Sequence, residues 1–293
     1  MKIVFNLAHL LQEPCQKHET LTIKNLKAMK KMILSAIVAI GCCIAIPETL
    51  LAQKLIKGES TTGHIAYQNG EQLTYTVKYG FVTGGRGIFT VRDTTINGIK
   101  TNHIVVRGET TGVADVFYKV RDSYESYVDL QTQLPVLAIR NISEGRYKRY
   151  EEVTYDRTAS KVNSTRSGVS DVPEYTLDMV SAFYHARNNT FNDNLVKGDT
   201  IEYMTYFSGK LYPLVIRYLG KETVKTEMGK IECYKFCPVT EVGRSFKNED
   251  DMHVWISCDD NHVPVKIKFN LTVGSFVCEL TQYKGMKYPM KKV

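Results

Sequence analysis

The sequence predicts a mainly β chain, in which one or more large curved antiparallel sheets form an open or half barrel with one central helix. Three observations carry this. Apolar and polar residues alternate with period two through most of residues 72–285. Asn97-Gly98 joins two β-prone runs, as a two-residue hairpin turn requires, because both turn positions take positive φ. One stretch, at about 176–187, has helical spacing instead.

The elements follow in order. In Met32–Ile46 a fifteen-residue apolar run comes after Lys30 and Lys31 and is followed by Pro47 and Leu51-Ala52-Gln53. A basic start, a short apolar stretch and a small residue before the cut describe a secretory signal peptide, here residues 1–52. The run falls short of the roughly 18–20 residues that a membrane-spanning helix needs. Met29 can start this signal by itself, which makes residues 1–28 an over-extended gene start. The rival is a lipoprotein anchored at Cys42 or Cys43. Against it, Ala39 stands where a larger aliphatic residue is usual, and the chain stays apolar to Ile46.

Residues 53–64 read as a linker and 65–293 as a single β-rich domain, with two half-barrels meeting near 170–198 as the alternative. In QLTYTVKY, Leu73, Tyr75, Val77 and Tyr79 share one face. Thr83-Gly84-Gly85-Arg86-Gly87 reads as a turn before GIFTVRDTTI and KTNHIVVRGET. GVADVFYKV (112–120) is expected to make one or two helical turns. Strands follow at SYESYVDL, PVLAIRNIS, RYKRYEEVTYDR and KVNSTRSG. In TLDMVSAFYHAR, Leu177, Val180, Ala182, Phe183 and Ala186 recur at helical spacing, and Thr176 or Asp178 can cap the start. The pattern then returns in DTIEYMTYFSG, LYPLVIRYLGKETV, KIECYKFCPVTEV, DMHVWISC, VPVKIKFNLTV and SFVCELTQYKG. Alternation with one wet face is what antiparallel sheets allow.

Composition excludes several classes. With 43% hydrophobic and 24% charged residues the chain is not a disordered polymer. Its +7 charge falls to +4 once residues 1–52 are set aside. The densest basic cluster, Arg146–Tyr150, runs straight into Glu151 and Glu152, so no nucleic-acid partner is expected. Cys233 and Cys237 would lie about 13 Å apart on a strand, too far to share a zinc ion. They read, with Cys258 and Cys278, as buried thiols acting as small hydrophobes.

Three segments together resemble a known family: GEQLTYTVKYG at 70–80, LDMVSAFYHAR at 177–187, and VWISCDDNHVPVKI at 254–267 followed by VGSF. They are similar to an exported Bacteroidetes family of the domain-of-unknown-function type (DUF3108-like), over about residues 65–285. The resemblance implies an envelope location and a β-rich open-barrel fold akin to that of a capsule-operon lipoprotein. It implies no activity and no catalytic residue.

The residues themselves show no catalytic apparatus. There is no H-E-x-x-H, and His64, His103, His185, His253 and His262 are scattered singly. Gly84–Gly87 lacks the Lys-Ser/Thr of a phosphate loop. No cofactor or metal is expected. Aromatic residues are the remaining signal, with 18 tyrosines. They suit half-buried strands, and they also suit an aromatic-lined concavity. Tyr79, Phe81, Arg86, Tyr118 and Trp255 are the candidate lining residues.

The expected function is therefore non-enzymatic: an exported protein of a Gram-negative envelope, in the periplasm, at the outer membrane or secreted. It would bind a lipid, glycan or peptide, or an envelope protein, in its concave sheet. The alternatives are an envelope-polymer enzyme using dispersed residues such as Asp178, His185 and Arg187, and a structural component of an envelope complex.

Overall fold

The structure is a computed structural model that describes residues 54–58, 63–189, 191–239, 251–270 and 274–293. The signal-peptide and lipoprotein readings concern residues that lie outside this set. The described residues belong to one compact unit.

After the short β1 (Leu55–Lys57), the first meander holds β2 (Gln72–Tyr79), β3 (Val82–Ile96), β4 (Ile99–Thr110), α1 (Gly112–Phe117), β5 (Arg121–Asp129), β6 (Pro135–Glu144), β7 (Tyr147–Asp156), β8 (Lys161–Ser164) and β9 (Gly168–Asp171). After α2 (Met179–Asn189) come β10 (Thr200–Phe207), β11 (Lys210–Thr226), β12 (Gly229–Pro238), β13 (Met252–Ser257), β14 (Pro264–Asn270) and β15 (Ser275–Lys284).

All fifteen strands form one open sheet, ordered β1-β10-β11-β12-β13-β14-β15-β2-β3-β4-β5-β6-β7-β8-β9. The last strand of the second meander pairs antiparallel with β2, with Cys278 opposite Val77. That pairing makes the two strand-rich halves continuous. Only β1 joins parallel, beside β10.

The hairpin at Asn97-Gly98 is present, with φ of 50° and 81°. Three other expectations are corrected. Thr83–Gly87 is not a turn: it lies within β3, paired with β2 and β4, and the chain reverses at Gly80-Phe81. The KVNSTRSG stretch holds β8 and only the first residue of β9, which pair with each other. Part of the 53–64 stretch read as a linker is β1, held by pairing with β10.

The central helix α2 starts at Met179 because Asp178 caps it. Asp178 Oδ1 accepts the amides of Val180 at 2.8 Å and Ser181 at 3.0 Å. The helix is apolar on two sides. Ala182 and Ala186 pack with Ile201, Tyr203 and Phe236, whereas Val180 and Tyr184 pack with Val91, Ile104 and Val128. A helix buried nearly all round must lie inside the fold, and here it fills the concave face of the sheet.

Arg187, in the last turn, donates to both oxygens of Glu71, at 2.7 and 2.8 Å, with both side chains fully buried. Its Nε donates to the Asn261 carbonyl. This ties the helix end to the approach to β2 and to the β13–β14 turn. The C-terminal residues are tied to the β13–β14 turn: the amides of Tyr288 and Lys291 donate to the side chains of Asn261 and Asp259. No helix among the described residues is long and apolar enough to cross a membrane.

Candidate functional site

The concave face of β2–β5 has a gap in its side chains. Across the sheet, Tyr75 pairs with Gly87, and Gly87 pairs with Gly108. Gly108 in turn pairs with Asp122. One row nearer the sheet end, Val77 pairs with Gly85. Glycine inside a strand adds no side chain and weakens the strand, so it is expected where space is needed. The first turn of α2 arches over this stretch and leaves a cavity of about 220 Å³.

Tyr75, Val77, Phe89, Val106, Tyr124 and Phe183 supply most of its apolar wall, with Ile267, Phe269 and Cys278 from β14 and β15 closing it. Tyr75 Oη is buried here without a hydrogen-bond partner, and across the glycines Asp122 is buried beside the side chain of Glu144. Their strands stand three steps apart, about 14 Å from a spacing of roughly 4.8 Å.

Asp122 is 3% exposed. Its Oδ1 accepts the Ser143 amide at 2.9 Å. Burial pushes its carboxyl up to about 6, and this outweighs the Ser143 amide, the Glu144 side chain and Lys148, which favour the anion. Burial likewise raises Tyr75 well above the usual phenol range and Cys278 to about 12, so both stay protonated at neutral pH. The site can therefore receive an apolar body and one polar group that donates to Asp122. As protonated groups, Tyr75 and Cys278 are weak nucleophiles, and Asp122 is the ionisable group of the site.

A second, small cavity of about 40 Å³ lies on the other side of Tyr124, Met179 and Val180. Buried Tyr155 Oη and Tyr206 Oη have no partners there, and there is room for a water molecule.

Chain alternation put the named lining residues elsewhere. Phe81 projects from the β2–β3 turn into solvent. Tyr79 is partly exposed, with its ring against Phe276. Arg86 stands on the convex face, paired with Glu109. Tyr118 donates its hydroxyl to the Glu144 carbonyl at 3.2 Å. Trp255 is buried on the face away from α2, among Cys233, Val265 and Met290, under the ammonium groups of Lys235 and Lys266. None of the five lines the cavity; Tyr79, Phe81 and Tyr118 gather at its end of the sheet.

The glycines were visible as a period-two pair, Gly85 and Gly87, inside an alternating stretch. Asp122 gave no signal, since nothing in sequence separates a strand-start aspartate from a solvated one. Asp178, His185 and Arg187 do not form one site. Asp178 is occupied by its helix cap and by Ser126, whose hydroxyl donates at 2.6 Å. His185 is buried beside Tyr203, and Arg187 is held by Glu71.

The sequence of residues 74–281 matches the family described as protein of unknown function DUF3108. The chain belongs to the DUF3108 family. No curated protein matches this DUF3108 chain. Among solved structures it is similar to a β-barrel-like protein of the DUF1849 domain of unknown function from Brucella abortus, with a TM-score of 0.50 at 7% identity. That match covers 75% of this chain and 99% of the other, and it shows a shared fold. A hypothetical protein, CT021 from Chlamydia trachomatis, aligns at 6% identity over 77% of this chain and 92% of its own, with a TM-score of 0.34.

Proposed function

We propose that this DUF3108 protein is an exported envelope protein that binds a small amphipathic lipid-like ligand without transforming it. The observation that carries the reading is the glycine-floored cavity, lined by the unpartnered Tyr75 Oη and by the buried Asp122 carboxyl. A buried polar atom without a partner is costly, and a ligand hydroxyl or amine would satisfy Tyr75 Oη or donate to Asp122. The apolar wall favours an acyl chain or ring over a glycan. At about 220 Å³ the space exceeds the roughly 150 Å³ of an apolar cavity that takes benzene. Support for export comes from the apolar run at Met32–Ile46 and the small residue before Gln53. The domain reading is one β-rich unit spanning 65–293.

Native mass spectrometry and solvent extraction of purified protein test the reading. A co-purified lipid, or a melting-temperature rise with medium-chain amphiphiles, is the expected result. Repeated preparations without ligand, combined with no shift across a broad lipid panel, would overturn it.

A further inference from the structure

We infer that the end of the sheet carrying α1 docks on an anionic lipid bilayer. This goes beyond the cavity reading and does not depend on it. The short helix α1 buries none of its residues. Val113, Val116 and Phe117 share one helical face, at i, i+3 and i+4. That face points outward, with the three residues 71%, 84% and 84% exposed. Phe81 is 97% exposed, and Val82 beside it is also exposed.

These two tips belong to one surface. The Thr111 amide donates to the Gly84 carbonyl at 3.1 Å, which holds the start of α1 against the start of β3. Register places the cavity at the same end. The β2–β3 turn, the exit of β4, the entry of β5 and the start of β15 all lie there, next to the Val77–Gly85 row. A helix that turns its apolar stripe to water gains nothing by it unless another phase receives the stripe.

Charge selects that phase. At this end Arg86 pairs with Glu109, and Arg121 donates to both oxygens of Asp115 at 2.6 and 3.0 Å. Beyond these pairs, the rim adds exposed Lys119, Arg146 and Lys148. The Gly145 amide donates to the Lys119 carbonyl at 2.8 Å, which brings Arg146 next to α1. The acids Asp122 and Glu144 are buried, and only Lys148 of the three cations lies near Asp122, so Lys119 and Arg146 carry the surplus at the surface. Apolar tips ringed by surplus positive charge fit the interface of a bilayer containing anionic lipid. In this geometry the tips enter the headgroup layer and the cavity end faces the membrane.

The test is co-sedimentation with vesicles of phosphatidylcholine alone and of phosphatidylcholine with phosphatidylglycerol. The native protein binds the anionic vesicles, and binding weakens as salt is raised. Phe81→Ser, Val116→Ser and Phe117→Ser, combined in the same chain, lower that binding roughly tenfold or more. Circular dichroism and thermal melting confirm that the variant keeps its fold, since these side chains support nothing. Lys119→Glu with Arg146→Glu removes most of the preference for anionic lipid. A Gly87→Leu protein, with its cavity filled, still binds vesicles as the native chain does, so failure of the cavity reading is read separately. Equal binding by the triple variant, or no binding by the native protein, overturns the inference. So does a native dimer in sedimentation velocity that the triple substitution dissolves.

Discussion

Gly87 and Gly108 face each other directly across the β3–β4 ladder, so two adjacent strands present bare backbone to the concave face. A Cβ at Gly87 would meet Tyr75 Cβ at 3.7 Å, Phe89 Cε1 at 3.8 Å and the Arg107 carbonyl at 3.9 Å, all ordinary contacts. The space is therefore present by choice of residue and not by steric need.

Gly87→Ala is expected to be stabilising by about 0.5–1 kcal/mol, because alanine loses less backbone entropy in a strand. Gly87→Leu should fill the cavity and abolish ligand uptake. Urea unfolding measures the first effect, and displacement of a fluorescent fatty acid measures the second. Retained uptake in the leucine variant would mean that the ligand binds elsewhere.

The buried Arg187–Glu71 pair predicts a large asymmetry. Glu71→Gln alone leaves a guanidinium without its countercharge and should cost about 3–5 kcal/mol. The double variant Glu71→Leu, Arg187→Met should be clearly less destabilised than the sum of its single changes. A double-mutant cycle by denaturant unfolding gives the coupling.

Asp122 makes stability depend on pH in an unusual direction for a carboxylate. Its folded value is about 6, against 3.8 for the unconstrained group. Between these values the folded state holds a proton that the unfolded state has released, so this contribution is present below about pH 4 and is lost as pH rises through 6. At neutral pH the loss is on the order of 2–3 kcal/mol. Asp122→Asn should therefore be more stable than the native protein at pH 8, with the difference shrinking toward pH 4. Chemical unfolding across pH 4–8 is the check, and a difference that does not vary with pH would contradict the assignment.

His185 acts in the opposite sense. Burial lowers its titration, which outweighs the backbone groups at Gly58 and Gln133 that favour the cation. Its contribution is complete above the ordinary histidine value of 6.5 and is lost as pH falls through the lowered value, when the ring must charge inside the core. His185→Gln should flatten the acid limb of the unfolding profile.

Cys233, Cys237, Cys258 and Cys278 form no disulfide among the described residues. Burial raises Cys233, Cys258 and Cys278 above the usual thiol range. Iodoacetamide at pH 8 should modify these three slowly in the native protein and fully in denaturant, as peptide mass spectrometry will show.

Local pattern determined much of this protein. Alternation in QLTYTVKY and VPVKIKFNL set those strands, because one face of an antiparallel sheet is dry and the other wet. Asn97-Gly98 set its hairpin, because few other residue pairs take that turn. The spacing of Val180, Ala182, Phe183 and Ala186 set α2, and Asp178 its start. What only the tertiary structure decided was long-range. The pairing of β15 with β2 joins residues about two hundred positions apart, and nothing local to either strand encodes the partner. Reading Thr83–Gly87 as a turn failed because glycine is used both for reversal and for space. Only the neighbouring strands and the helix above show that here it makes space. The environment of Asp122 has the same origin: its type is written in the sequence, but its burial, and with it the upward shift of its carboxyl, comes from strands and a helix folded around it.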